Sequence, residues 1–168
     1  MPPALVAIEP DAVPRAPRVA VVVSRYNQWI TDRLLDGAAE AFARLAGDAP
    51  DGDAWRMESV PAPGTFELPG VAAAALATGR FDAAVCLGCV IRGETSHDRH
   101  IASAVAGQIA ALASADGGSR PVAFGVITAE NADQAEARAG GTHGNKGAEA
   151  MEAALGALAA VRALRGEA

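Results

Sequence analysis

The chain has 168 residues, 51% of them hydrophobic and 20% charged, which suits one domain with a sizeable core and leaves too little chain for two. Its formal charge of -6, sequence pI near 5.0 and lack of a lysine or arginine run argue against nucleic acid and anionic membrane as partners. Only two cysteines occur, Cys86 and Cys89, both within an apolar run, so a reducing compartment is expected, the cytoplasm by default.

Residues 1–17 carry prolines at 2, 3, 10, 14 and 17 with Glu9 and Asp11 and no long apolar core. A flexible or extended arm is expected there rather than a signal peptide, with the folded domain over 18–168. No stretch approaches the roughly 20 apolar residues of a membrane helix. Arg18 to Ser24 is a β-branched run that reads as a strand. After the loop Arg25-Tyr-Asn-Gln-Trp29, residues Ile30, Leu34, Leu35, Ala38, Ala39 and Phe42 recur at helical spacing. Asp53 to Val60 reads as a second, weaker strand. Thr65-Phe-Glu-Leu-Pro-Gly70 then leads into an alanine-rich helix to about Thr78, closed by Gly79.

Ala83 to Ile91 is apolar apart from Gly88 and includes Val85, Val90 and Ile91, the pattern of a parallel strand buried on both faces. Gly93 breaks it, and a helix is expected from about Ser96 to Ser114, with Thr95 or Ser96 as N-cap. Pro121 to Ile127 reads as the fourth strand and Thr128-Ala-Glu-Asn131 as the cap of a short helix to about Arg138. A glycine-rich elbow at 139–147 precedes a last helix to about Arg165. Four strands alternating with helices predict an α/β protein, a three-layer αβα sandwich around a four-stranded parallel sheet.

In that architecture Tyr26, Thr65, Phe66, Glu67, Thr95, His97 and Thr128 each follow a strand and gather at the carboxyl edge of the sheet, where such folds bind ligands. The backbone N–H groups of Gly93, Glu94, Thr95 and Ser96, at the start of a helix, form a candidate anion cradle. His97 in the first helical turn feels the positive end of the macrodipole, which favours a neutral ring able to take a proton. With an aromatic at Tyr26 or Trp29, a carboxylate at Glu67 and a downstream Arg138, the set fits a planar heterocycle beside a phosphate. The plainer roles are capping or solvation for His97, core packing for a lone aromatic, and helix-end neutralisation for Arg138.

Three other motifs carry less. Cys86-Leu-Gly-Cys89 has redox spacing, but residues three apart in a strand face opposite sides and lie about 10 Å apart, beyond disulfide reach. His97 and His100 share a helix face as a metal pair would, yet a third ligand with dependable spacing is missing, so no metal is expected. Gly140 to Gly147 lacks the GxxxxGK[ST] spacing and the preceding strand of a phosphate loop.

The segments Ser24-Arg-Tyr-Asn27, Pro63-Gly-Thr-Phe-Glu-Leu-Pro69, Gly88 to His97, Phe124 to Asn131 and Arg138 to Gly147 resemble, in order and approximate spacing, those of the lumazine synthase family. The resemblance implies a flavodoxin-like sheet. It also implies condensation of 5-amino-6-(D-ribitylamino)uracil with 3,4-dihydroxy-2-butanone 4-phosphate to 6,7-dimethyl-8-ribityllumazine, phosphate and water, in riboflavin biosynthesis, without metal or organic cofactor. His97 then matches the proton-transfer residue and Tyr26 the aromatic stacked on the pyrimidine, with Asn27 in the same motif. Thr65 and Glu67, with Phe66 between them, match the ribityl contacts, and Val90 and Ile91 the backbone along the uracil. Gly93, Glu94 and Thr95 match the phosphate loop, and Arg138 the phosphate-binding arginine.

The family's pentamers, free, paired or closed into icosahedral shells, imply a site shared between subunits. Tyr26, Glu67 and His97 would come from one subunit and Phe124 and Arg138 from its neighbour. Riboflavin synthase is the implied protein partner. This chain departs from the family where Asp98, Arg99 and His100 follow the histidine in place of the usual aromatic, and where Thr142 stands in place of a lysine. Two other functions compete: a non-catalytic flavin- or pyrimidine-binding protein of the same fold, and a purely structural shell subunit.

Overall fold

The computed structural model describes residues 15–47, 49 and 51–167. Residues 1–14 of the expected arm lie outside the described residues. Four strands, β1 (Arg18–Ser24), β2 (Arg56–Ala62), β3 (Ala83–Ile91) and β4 (Val122–Ala129), form one sheet in the order β2-β1-β3-β4. Every pairing in it is parallel, with Val22 opposite both Val60 and Cys86, and Cys86 opposite Phe124. This is the expected three-layer, flavodoxin-like arrangement, with the sequence alternating strand and helix as parallel crossovers require.

Burial follows from sheet order. The two central strands are almost wholly buried, as their unbroken β-branched and apolar runs anticipate. Helices α1 (Gln28–Gly47) and α5 (Lys146–Arg165) cover one face. There Val19, Val21, Val85 and Leu87 pack with Ile30, Leu34, Met151 and Leu155. Helices α2 (Leu68–Ala77) and α3 (His97–Ser114) cover the other, where Ala20, Val22, Ala84 and Cys86 meet Leu68, Leu76, Val105 and Ile109. The two cysteines fall in opposite layers, Cys86 in the second and Cys89 in the first, and both are free thiols.

Two strands differ from the sequence expectation in their bounds. The second strand starts at Arg56 rather than Asp53, because Gly52–Ala54 makes a 3-10 turn, and it runs through Pro61 to Ala62. A proline is tolerated there because β2 is an edge strand with one side unpaired. The fourth strand continues two residues past Ile127, so Thr128 belongs to β4. The cap of α4 (Ala132–Arg138) is Asn131, whose Oδ1 accepts from the Gln134 N–H at 2.9 Å. The glycine-rich elbow is a small antiparallel hairpin, β5 (Ala139–Gly141) with β6 (Gly144–Asn145).

That hairpin delivers Asn145 to the junction of α1 and α5. Its Oδ1 accepts from the N–H groups of Gly147 and Ala148, capping α5, while its Nδ2 donates to the Arg33 carbonyl at 2.8 Å. The helices approach so closely that a Cβ on Gly147 would lie 1.9 Å from the Leu34 carbonyl oxygen. The Gly-Asn-Lys-Gly run therefore serves helix packing. Among the described residues no helix is long and apolar enough to cross a membrane.

Candidate active site

The loops after β1, β2 and β3 enclose a groove of about 970 Å³ at the carboxyl edge of the sheet. One wall is the 3-10 turn Thr65–Glu67 that enters α2, and the other is the first two turns of α3. Cys89, Val90 and Ile91 at the end of β3 line it between them, and Tyr26 borders it from the loop after β1. Of the residues singled out from sequence, Tyr26, Thr65, Phe66, Glu67, Val90, Ile91, Gly93, Thr95 and His97 meet here. Asn27, Glu94, Phe124 and Arg138 do not line it.

The aromatic side of the groove is built by local chain geometry. Asn27 has a φ of 57°, in the left-handed region that asparagine tolerates. Its Nδ2 donates to the Cys89 carbonyl at 3.0 Å, so its amide is engaged within the fold rather than offered to the groove. Ser24 Oγ accepts from the Tyr26 N–H at 3.1 Å, and Thr31 Oγ1 donates to the Ser24 carbonyl at 2.7 Å. These bonds fix the loop and turn Tyr26 outward, 69% exposed; Phe66, from the facing turn, is 60% exposed. Large rings held so open at the mouth of a groove offer apolar faces for stacking.

Deeper in, Thr65 is buried, and its Oγ1 has no hydrogen-bond partner among the described residues. A buried hydroxyl left unpaired costs about 1–3 kcal/mol, which a ligand in the groove would relieve. Gly88 makes room for it: a Cβ at that position would come within 2.9 Å of Thr65 Oγ1 and Cγ2 and of Leu68 Cδ1. The glycine that interrupts the apolar run of β3 is thus explained by Thr65 and Leu68. Burial raises the Cys89 thiol to about 11 and that of Cys86 to about 12, so neither is ionised near neutrality.

At the far end, Arg92 to Ser96 leads into α3. The Arg92 N–H donates to the Ala129 carbonyl at 2.8 Å, and its guanidinium pairs with Glu130 at 2.7 Å, which holds the Arg92 pKa above its ordinary value. The N–H groups of Gly93, Glu94, Thr95 and Ser96 meet no acceptor among the described residues, leaving a run of donors at the head of an 18-residue helix. Ser96 occupies the N-cap position, but neither it nor Thr95 caps with its side chain, contrary to expectation; the backbone at Ser96 (φ -77°, ψ 13°) lacks the extended form a capping side chain needs.

Arg138, at the end of α4, donates from Nη1 to the Gln134 carbonyl one turn back along its own helix at 3.0 Å. Phe124 stands on the edge strand β4, 45% exposed. Sequence reasoning did not place Asp98, His100, Ile101 and Ala104 in the groove, where they line the α3 wall. Helical spacing of three, four and seven residues from His97 was the available signal for the last three. His143 lies at the hairpin turn against Thr142, and no group of three or more metal-ligating side chains occurs among the described residues.

An open parallel α/β sheet carries at its carboxyl edge an aromatic-mouthed groove with free backbone donors, the place where enzymes of this architecture receive small ligands. The family model described as 6,7-dimethyl-8-ribityllumazine synthase matches residues 16–162. The chain belongs to that family of enzymes. Over 123 residues, 73% of this chain, it is 43% identical to the 6,7-dimethyl-8-ribityllumazine synthase of Synechococcus elongatus and 40% identical to that of Campylobacter curvus. The matched segment spans 66% of the Synechococcus protein and 74% of the Campylobacter one, so the chain covers just under two thirds of the former.

Proposed function

We propose that the protein condenses 5-amino-6-(D-ribitylamino)uracil with 3,4-dihydroxy-2-butanone 4-phosphate, giving 6,7-dimethyl-8-ribityllumazine, phosphate and water, a step of cytoplasmic riboflavin biosynthesis. The observation that carries this reading is the groove itself. It joins two open aromatic rings, a carboxylate, an orphan buried hydroxyl, two histidines, and Gly93 and Thr95 from the run of free N–H groups within one cavity of about 970 Å³.

In this reading the pyrimidine stacks on Tyr26 with its edge along the backbone of Val90 and Ile91, and the ribityl hydroxyls meet Thr65 Oγ1 and Glu67. The phosphate is received by Gly93, Glu94 and Thr95, whose N–H dipoles are already oriented and need no reorganisation. The 5-amino group attacks the ketone, the imine forms with loss of one water, phosphate is eliminated to leave an enol that tautomerises to a carbonyl, and the ribitylamino nitrogen attacks that carbonyl, closing the second ring with loss of a second water. His97, beside the phosphate donors, moves protons during these steps. Holding two reactants in one groove supplies a large part of the rate by making the condensation effectively unimolecular. Neither a metal nor an organic cofactor is required for this chemistry.

Phe124 and Arg138 lie outside the groove of their own chain, which supports a site completed by a neighbour in a pentameric ring, the cation of Arg138 meeting the phosphate from across the contact. The test is direct: purified protein with both substrates, followed by fluorescence of the lumazine. Turnover that depends on both substrates is expected. Ligand binding without turnover would instead make the protein a pyrimidine- or flavin-binding relative.

A further inference from the structure

Helix α3 opens with two imidazoles one turn apart, His97 and His100. Both line the groove, followed by Ile101 and Ala104, so the stripe at positions 97, 100, 101 and 104 is the wall itself. Both histidines are exposed, and among the described residues neither ring hydrogen-bonds to the protein, whereas the third histidine, His143, contacts Thr142 Oγ1 at 3.1 Å. An imidazole open to a cavity and free of protein partners keeps both its donor and its acceptor for a ligand.

We propose that His100 is a second substrate-contacting imidazole, handling the proton of the carbonyl condensation while His97 serves the phosphate end. The inference rests on the reaction proposed above. Three residues of helix advance about 4.5 Å, and the ketone carbon of the butanone phosphate stands four bonds from phosphorus. With the phosphate at residues 93–95 and the substrate extended along the α3 wall, this length sets the ketone abreast of His100. Attack of the amine nitrogen gives a carbinolamine. Imidazolium His100 passes its proton to the carbinolamine oxygen as the C–O bond breaks and the nitrogen lone pair forms the C=N bond. Water departs, and the iminium nitrogen returns its proton to the imidazole, leaving His100 as it began.

The other titratable groups at the groove are Glu67 on the opposite turn, Tyr26 at the mouth, Cys89 at the end of β3, and Asp98 with His97 on α3 itself. The Cys89 thiol, raised to about 11 by burial, stays protonated through neutral pH and does not contribute to a fall in rate just above neutrality.

The experiment compares pH–rate profiles of the wild type, His100→Gln and His97→Gln, together with diethyl pyrocarbonate labelling of the three histidines read by mass spectrometry, with and without the lumazine product. His100→Gln is expected to lower kcat by about 10²-fold, to leave KM for the butanone phosphate within about twofold, and to make the fall in rate on the alkaline side shallower than in the wild type, since a required proton donor is lost there. The product should slow labelling of His97 and His100 but not of His143. An active wild type whose rate and profile are unchanged by His100→Gln overturns the role of His100 and leaves the condensation standing. A wild type with no turnover overturns the condensation. In that event, labelling of His100 that the product does not slow removes His100 from the ligand site as well, whereas slowed labelling keeps it there as a ligand contact.

Discussion

The side-chain amide of Asn27 donates to the main-chain carbonyl of Cys89 across 3.0 Å, tying the loop that presents Tyr26 to the end of the strand beneath the groove. The bond holds only while Asn27 keeps its left-handed backbone, φ 57°. Asn27→Ala therefore loses the bond and adds strain, and it is expected to lower unfolding free energy by about 2 kcal/mol. Asn27→Gly loses the bond alone and should cost about half as much. Urea denaturation distinguishes them; equal stability of all three proteins would mean that the contact does not hold the loop.

Gly147→Ala is expected to destabilise the fold by about 3 kcal/mol or more, since the added Cβ meets the Leu34 carbonyl oxygen at 1.9 Å. Gly156→Ala in the same helix meets nothing within 4 Å and should be neutral or stabilising by up to about 1 kcal/mol. Thermal unfolding of the pair checks the claim, and similar melting temperatures would contradict the close approach of α1 and α5.

His97→Ala should reduce turnover by about 10²–10⁴-fold with a smaller change in substrate binding. Full kcat in a direct assay of the variant would reduce the histidine to a solvated residue of the first helical turn.

A site shared between neighbours predicts complementation. His97→Ala and Arg138→Ala proteins, each inactive, are unfolded and refolded together, and part of the wild-type activity should return wherever an intact His97 faces an intact Arg138. Native mass measurement establishes that mixed assemblies form. Mixed assemblies as inactive as their parents would put both residues in one subunit's pocket.

The buried thiols carry a pH signature. Because folding raises both thiol pKa values, from the ordinary 9.0 to about 12 for Cys86 and about 11 for Cys89, the folded state holds more protons than the unfolded chain in that range. Their contribution is complete below pH 9.0 and declines as pH rises toward those values. Denaturation at pH 8 and at pH 10.5 should show the fall, and Cys86→Val should diminish it. Stability that is flat across this interval in the wild type would refute the assignment.

What could be read from the chain depended on how completely each element is buried. The bounds of β3 were legible because Ala83 to Ile91 is apolar on both faces and flanked by Asp82 and Arg92. Those of β2 were not, since an edge strand needs only half a pattern and tolerates Pro61. The groove-lining positions of Tyr26, Glu67 and His97 followed from parallel topology, which collects post-strand loops at one edge. The Asn27 contact was not legible because an amide in a loop at the sheet edge reads the same whether it turns outward or toward a carbonyl 62 residues away. His100 was first weighed as a metal ligand with His97, although the same helix-face spacing also described a groove wall. The positions of Phe124 and Arg138 relative to another copy had no signature in one chain, where helical and strand periodicities report only on contacts within it.

Asn145 also bears on how the chain comes to be folded. Its carboxamide joins the head of the last helix to Arg33 in the first, 112 residues earlier. During synthesis the inner face of α1 has the sheet to lie on but lacks its helical companion until residues beyond Asn145 have emerged. Such a connection has high contact order, and the loop-closure entropy is met before the packing reward arrives. The nascent protein therefore spends most of its synthesis with an apolar helix half covered, a state prone to associate with other incomplete chains. A chain cut short upstream of the hairpin lacks Asn145 and α5 and keeps α1 half covered, so truncation before Asn145 is expected to favour aggregation.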